Sequence, residues 1–111
     1  MSRSVTTTRK PGRRAHSPIH PGEVLAEEFL APLDLSARDL SDAIRFPIRR
    51  VRELVRGARP ISAEIALRLA RYFGTTEEFW MNLQVHHDLE VERDRVGARV
   101  RREVAVLKRA S

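Results

Sequence analysis

The sequence predicts an all-α protein, five short helices around a helix-turn-helix with a helical extension at the C-terminal end. Three observations carry this. Apolar residues recur at three-and-four spacing in one segment after another, as helices with one buried face require. Strand-type alternation is absent throughout. Trp80, Tyr72 and four phenylalanines are the only aromatics in 111 residues, so the core is mostly Leu, Ile, Val and Ala, which suits a small helical bundle. A chain of this length makes one domain.

Residues 1–19 hold Ser, Thr, Arg, Lys and Pro with almost nothing apolar, too little to offset ordering entropy, and are expected to form a flexible basic tail. The folded domain is expected over residues 20–95 and the C-terminal helical extension over 96–111. Pro21 opens the first helix, where its missing N–H is harmless, and Val24, Leu25, Phe29 and Leu30 supply the inward stripe until Pro32 ends it. Ser36 is an N-cap with Asp39 three residues on, a short capping box. The second helix is expected to bury Ala37, Leu40, Ala43 and Ile44 and to stop before Pro47, because Phe46 is biased away from helical geometry. Pro47 should be the first residue of a third helix that runs to Arg56 and stops at Gly57. Two helices joined by so short a corner make a helix-turn-helix. Ser62 caps a fourth helix through Ile65, Ala66, Leu69, Ala70 and Phe73, with Gly74 as its stop. Thr75 and Glu78 form a second capping box for a fifth helix through Phe79, Leu83, Val85 and Leu89. Gly97 interrupts the pattern, and Val100, Val104 and Leu107 either continue the helix or pack on a partner.

The net charge of +6 is arranged in blocks: +5 over residues 1–20, −4 over 21–35, +4 over 36–60, −3 over 61–90 and +4 over 91–111. The last block reads as solvated helix faces. The block at 36–60 is different, because its arginines are placed by the helix period. At about 100° per residue, Ile48, Val51, Leu54 and Val55 share one side of the third helix, and Arg49, Arg52 and Arg56 the other. Glu53 lies on that outer side and Arg50 at its edge. Like charges on one stripe cost stability unless an anion lies against them. Duplex DNA supplies one, since phosphates neutralise the charge and arginine bonds bidentately to guanine O6 and N7. The first turn of a recognition helix reaches base edges, which makes Ile48, Arg49 and Arg52 the expected base readers, with Ile48 suited to a thymine methyl group. Ser36 and Arg38, at the N-terminus of the preceding helix, suit a phosphate. Arg50, Arg56 and Arg59 are expected backbone contacts.

Four stretches resemble a known family: His20-Pro21-Gly22-Glu23; the corner from Leu40 to Pro47; Ile61 followed by Ile65 to Thr75; and Glu78-Phe79-Trp80-Met81-Asn82-Leu83-Gln84. From His20 to about Asp94 the chain resembles the HigA antitoxins of bacterial addiction modules, a branch of the Xre-type helix-turn-helix regulators. The resemblance implies a five-helix, lambda-repressor-like domain that binds its operator, double-stranded DNA, as a homodimer and represses its own operon. It also implies a protein partner, a small RelE-like toxin that cuts messenger RNA. The text around Trp80 reads as core. Arg45 departs from the pattern, since the family usually has glycine there, so either Arg45 is strained or the second helix ends differently. The arginine-rich recognition helix points to a guanine-rich operator.

The homodimer would place two recognition helices about 34 Å apart over an inverted repeat, with much of its contact from the fifth helix and the residues after it. Glu23 and Glu27, one turn apart on the first helix, are the candidate surface for a basic toxin. The alternative is a stand-alone repressor with no toxin partner. A third reading, a protein-binding adaptor without DNA affinity, is disfavoured by the arginine stripe.

Enzyme chemistry is not indicated. Cysteine is absent, which excludes thiolate nucleophiles and thiolate zinc sites. His86, His87 and Asp88 are adjacent and point about 100° apart, so they do not converge on a metal. His16 and His20 lie beside prolines and suggest no proton-transfer pair. No phosphate-binding Gly-rich loop, nucleophile elbow or His-Glu-x-x-His motif is present, and no cofactor is expected. No apolar run approaches the ~20 residues that span a bilayer, and no signal-peptide core follows the basic start, so the expected compartment is the cytoplasm, away from membranes.

Overall fold

The computed structural model describes residues 18–108. Residues 1–17, which hold His16 and nearly all of the expected tail, and residues 109–111 of the expected extension lie outside the described residues. Helix α1 (Pro21–Val24) runs directly into a π-helical stretch (Leu25–Leu30), and α2 (Ala37–Ile44), α3 (Ile48–Val55), α4 (Ala63–Phe73) and α5 (Glu77–Glu103) follow, with no strand among the described residues. The expected all-α, five-helix architecture is the observed one.

The His20-Pro21-Gly22 opening has a physical reason at each position. His20 Nδ1 accepts from the Gly22 amide at 2.9 Å and caps α1, and Pro21 takes the first helical position. Gly22 lies against α3 so closely that an added Cβ would sit 1.8 Å from the Leu54 carbonyl oxygen, so no other residue fits without moving a helix. The helix then widens, and the Ala31 amide reaches back five residues to the Ala26 carbonyl at 2.9 Å. Leu25 and Leu30 would stand about 140° apart on an α-helix. In the wider turn both are buried.

Ser36 and Asp39 form the reciprocal capping box that their spacing predicts, with bonds of 3.0 and 2.9 Å. Leu40, Ser41 and Ile44 are the buried residues of α2, and Ala43, expected inside, is exposed. The helix does end left-handed on Arg45, at φ 57° and ψ 50°. Side-chain hydrogen bonds hold this turn: the Ser41 hydroxyl donates to the Phe46 carbonyl, and Arg68 Nη1, from α4, donates to the Ile44 carbonyl at 2.8 Å and to the Arg45 carbonyl at 3.4 Å. Pro47 is the N-cap of α3 and not its first residue. Its extended backbone makes the corner, and Ile48 starts the helix.

The N-cap of α5 is Thr76, whose hydroxyl accepts from the Phe79 amide at 3.0 Å, and not Thr75. Glu78 therefore sits one position short of the place a capping box needs. Thr75 has another use, accepting from the Trp80 indole at 2.7 Å. Trp80 is fully buried, with Phe29 at 4.9 Å and Phe79 at 4.9 Å between ring centroids; of the motif around it Trp80 and Gln84 are core, Met81 and Leu83 pack against it half-buried, and Glu78, Phe79 and Asn82 are exposed. Gln84 is the polar member of this core. Its Oε1 accepts from the Ile61 amide at 2.6 Å and its Nε2 donates to Asp88 at 2.9 Å, which ties α5 to the turn before α4. Gly97 does not interrupt α5, which continues to Glu103 with Arg95 on Glu92 at 2.9 Å bracing the exposed face. Val85 and Leu89 are about half exposed, because α5 has left the core by that point.

Candidate nucleic-acid interface

Helix α3 is the element whose two sides differ most. Val51 and Leu54 are buried and Ile48 and Val55 half-buried, and this fixes which way the other side faces. Arg49, Arg50, Arg52 and Arg56 are exposed, and the Arg49 side chain is 86% exposed. The outer stripe expected from the helix period is therefore present as a surface, with Ile48 at its leading edge. Arg50 stands apart, with its guanidinium carbon 5.7 Å above the centre of the Phe46 ring, where a cation is attracted to the ring face. Arg56 closes the helix as its C-cap, ahead of Gly57 at φ 81°.

Arg59, expected to be a phosphate contact, reaches back to α3. Its Nε and Nη2 donate to one oxygen of Glu53 at 3.0 and 2.8 Å. The other Glu53 oxygen lies 3.9 Å from Arg49 Nε. These bonds hold the Glu53 carboxyl below its ordinary range, chiefly through Arg59. Only the order of residues 49, 53 and 59 along α3 and the turn after it hints at this cluster. Spacing alone assigns Arg59 no partner.

At the N-terminus of α2, the Ser36 hydroxyl accepts from the Asp39 amide and keeps its own proton to donate, and Arg38 is exposed beside it. Cap and phosphate contact are compatible on one hydroxyl. Glu23 and Glu27 line, together with Arg56, His20 and Val55, a cleft of about 150 Å³. Glu23 is half-buried and Glu27 exposed. The His87 ring stands edge-on to that of His20 at 4.9 Å, and no group of three or more His, Cys, Asp or Glu that could hold a metal ion is found among the described residues. None of the described helices is long and apolar enough to cross a membrane.

Two tightly joined helices, the second with a cationic outer face, define a helix-turn-helix domain, and the helix-turn-helix family model matches residues 27–80. Virulence-associated protein I of Dichelobacter nodosus is 45% identical over 80 residues, 72% of this chain and 74% of that protein. Antitoxin HigA-1 of Vibrio cholerae is 37% identical over 87 residues, 78% of this chain and 79% of its own length. The structure of Pseudomonas aeruginosa antitoxin HigA with the higBA promoter superposes with a TM-score of 0.79 at 42% identity, covering 82% of this chain and 99% of that one. The chain belongs to the HigA-type antitoxins of the Xre helix-turn-helix family, whose fold is a DNA-binding and non-enzymatic one.

Proposed function

We propose that this protein is the antitoxin of a type II toxin–antitoxin module. It represses its own operon by binding a palindromic operator as a homodimer, and it neutralises a RelE-like toxin that cleaves messenger RNA. The observation that carries the DNA half is the exposed row Arg49, Arg52 and Arg56 on α3, the helix following the tight corner. The solved Pseudomonas relative with its promoter supports the same assignment. Ile48, Arg49 and Arg52 read bases in the major groove. Ser36, Arg38, Arg50 and Arg56 hold phosphates.

Arg49→Ala or Arg52→Ala should each weaken operator binding by roughly 1–3 kcal/mol and relax preference at one base pair. Arg38→Ala should weaken every duplex alike and lower the slope of log K against log salt by about 0.9. Gel shifts over a salt series measure both effects. Operator affinity untouched by Arg49→Ala and Arg52→Ala together removes the groove assignment. For the toxin half, Glu23 and Glu27 offer carboxylates to a basic ribonuclease surface, so reversing both charges should abolish capture of a RelE-like toxin. Undiminished capture moves the contact elsewhere.

A further inference from the structure

We propose that Glu53 is a positioning residue for base reading, braced by Arg59 so that its carboxylate holds the Arg49 guanidinium toward the groove-facing side of α3. Arg59 then serves recognition through Glu53 and not by touching phosphate. The proposal rests on the reading that Arg49 meets base edges.

The geometry divides the Glu53 carboxylate between two arginines. One oxygen takes both Nε and Nη2 of Arg59, and the second, 3.9 Å from Arg49 Nε, is left for Arg49. The side chains of Glu53 and Arg59 are 26% and 34% exposed, so the brace is half-sheltered, whereas Arg49 stands in solvent. A separation of 3.9 Å is an electrostatic contact and not a hydrogen bond. It biases where the guanidinium sits while leaving all five N–H donors free for guanine. A solvated arginine without such a restraint has to be ordered when it binds, and that ordering weakens binding about two- to tenfold per side chain. A carboxylate on a DNA-facing helix also repels phosphates. Its presence there costs general affinity, which a role in selectivity explains.

The test uses the full chain and a duplex selected from a randomised library, its single-base-pair variants and a scrambled duplex, each titrated at several salt concentrations. Arg59→Ala and Glu53→Gln should each lower discrimination about two- to tenfold at the base pair where Arg49→Ala lowers it. Glu53→Gln should bind the scrambled duplex as well as the parent or better, which a purely structural role would not produce. Both losses of discrimination should vanish in the Arg49→Ala background. Arg59→Lys keeps a cation on Glu53 and should retain most of the discrimination. If Arg59→Ala fails to fold, Glu53→Gln and Arg59→Lys carry the same comparison. Equal losses on selected and scrambled duplexes, with the slope reduced by about 0.9, would make Arg59 a phosphate contact and overturn the proposal. So would losses that simply add to those of Arg49→Ala. If Arg49→Ala changes preference at no base pair, the reading of α3 fails first, and that result is separate.

Discussion

His20 caps α1 with Nδ1 as acceptor, and this fixes its neutral tautomer, protonated on Nε2. Burial lowers its pKa below the ordinary histidine value, the neighbouring His87 lowers it further, and Asp88 opposes them. The unfolded chain therefore binds the proton more readily than the folded one. The stability His20 contributes is complete above the ordinary histidine pKa and is lost as pH falls through that value toward the folded one. The melting temperature should drop as pH falls from about 7 to about 5. His20→Asn, which can still cap but does not titrate, should flatten that profile. Parallel profiles for the two proteins would assign the pH dependence to another group. A histidine that the sequence places beside a proline, with no partner in view, becomes a cap, a ring neighbour of His87 and a titrating group once α5 packs beside it.

Among the elements, the α2–α3 corner shows how a departure from a family pattern is accommodated. Arg45 occupies the left-handed conformation that glycine would take at no steric cost. That conformation costs a residue with a Cβ about 1–2 kcal/mol, and the added chain entropy of glycine offsets about 0.5–1 kcal/mol of the relief. Arg45→Gly should therefore stabilise the fold by up to about 1.5 kcal/mol, read as a higher denaturant midpoint at unchanged slope. No gain would mean that Arg68 and the Ser41 hydroxyl already hold the turn without strain. The π-helical stretch is an adjustment of another kind. Its sequence reads as an ordinary amphipathic helix, and the wider turn follows from burying Leu25 and Leu30 together against the other helices.

At the scale of the whole molecule, α5 is the outlier. Its 27 residues extend about 40 Å, against a longest dimension of 56 Å for the fold. Its buried residues, Trp80 and Gln84, lie in the first third. Beyond them Val85, Leu89 and Val100 are 49%, 47% and 47% exposed, a row of apolar side chains that one protomer leaves in water. The proposed homodimer would cover this row. Leu89→Glu combined with Val100→Glu should yield a folded monomer in sedimentation, with operator affinity reduced because a single recognition helix then reads one half-site. A dimer that persists in this variant would place the interface elsewhere.

Sequence alone determined the features that depend on neighbours a few residues away. The Ser36 box, the Ser62 cap, the stops at Gly57 and Gly74 and the two sides of α3 all come from helix period and capping chemistry, which act within a turn or two. Tertiary structure decided what depends on residues distant in the chain. It set the bond from Arg68 to the Ile44 carbonyl, the bond from the Ile61 amide to Gln84, the ring of His87 against His20, the carbonyl of Leu54 against Gly22 and the π-helical turn. These arise only when separate helices come within a few ångströms, because hydrogen bonds and close packing are short-ranged and composition carries no distances.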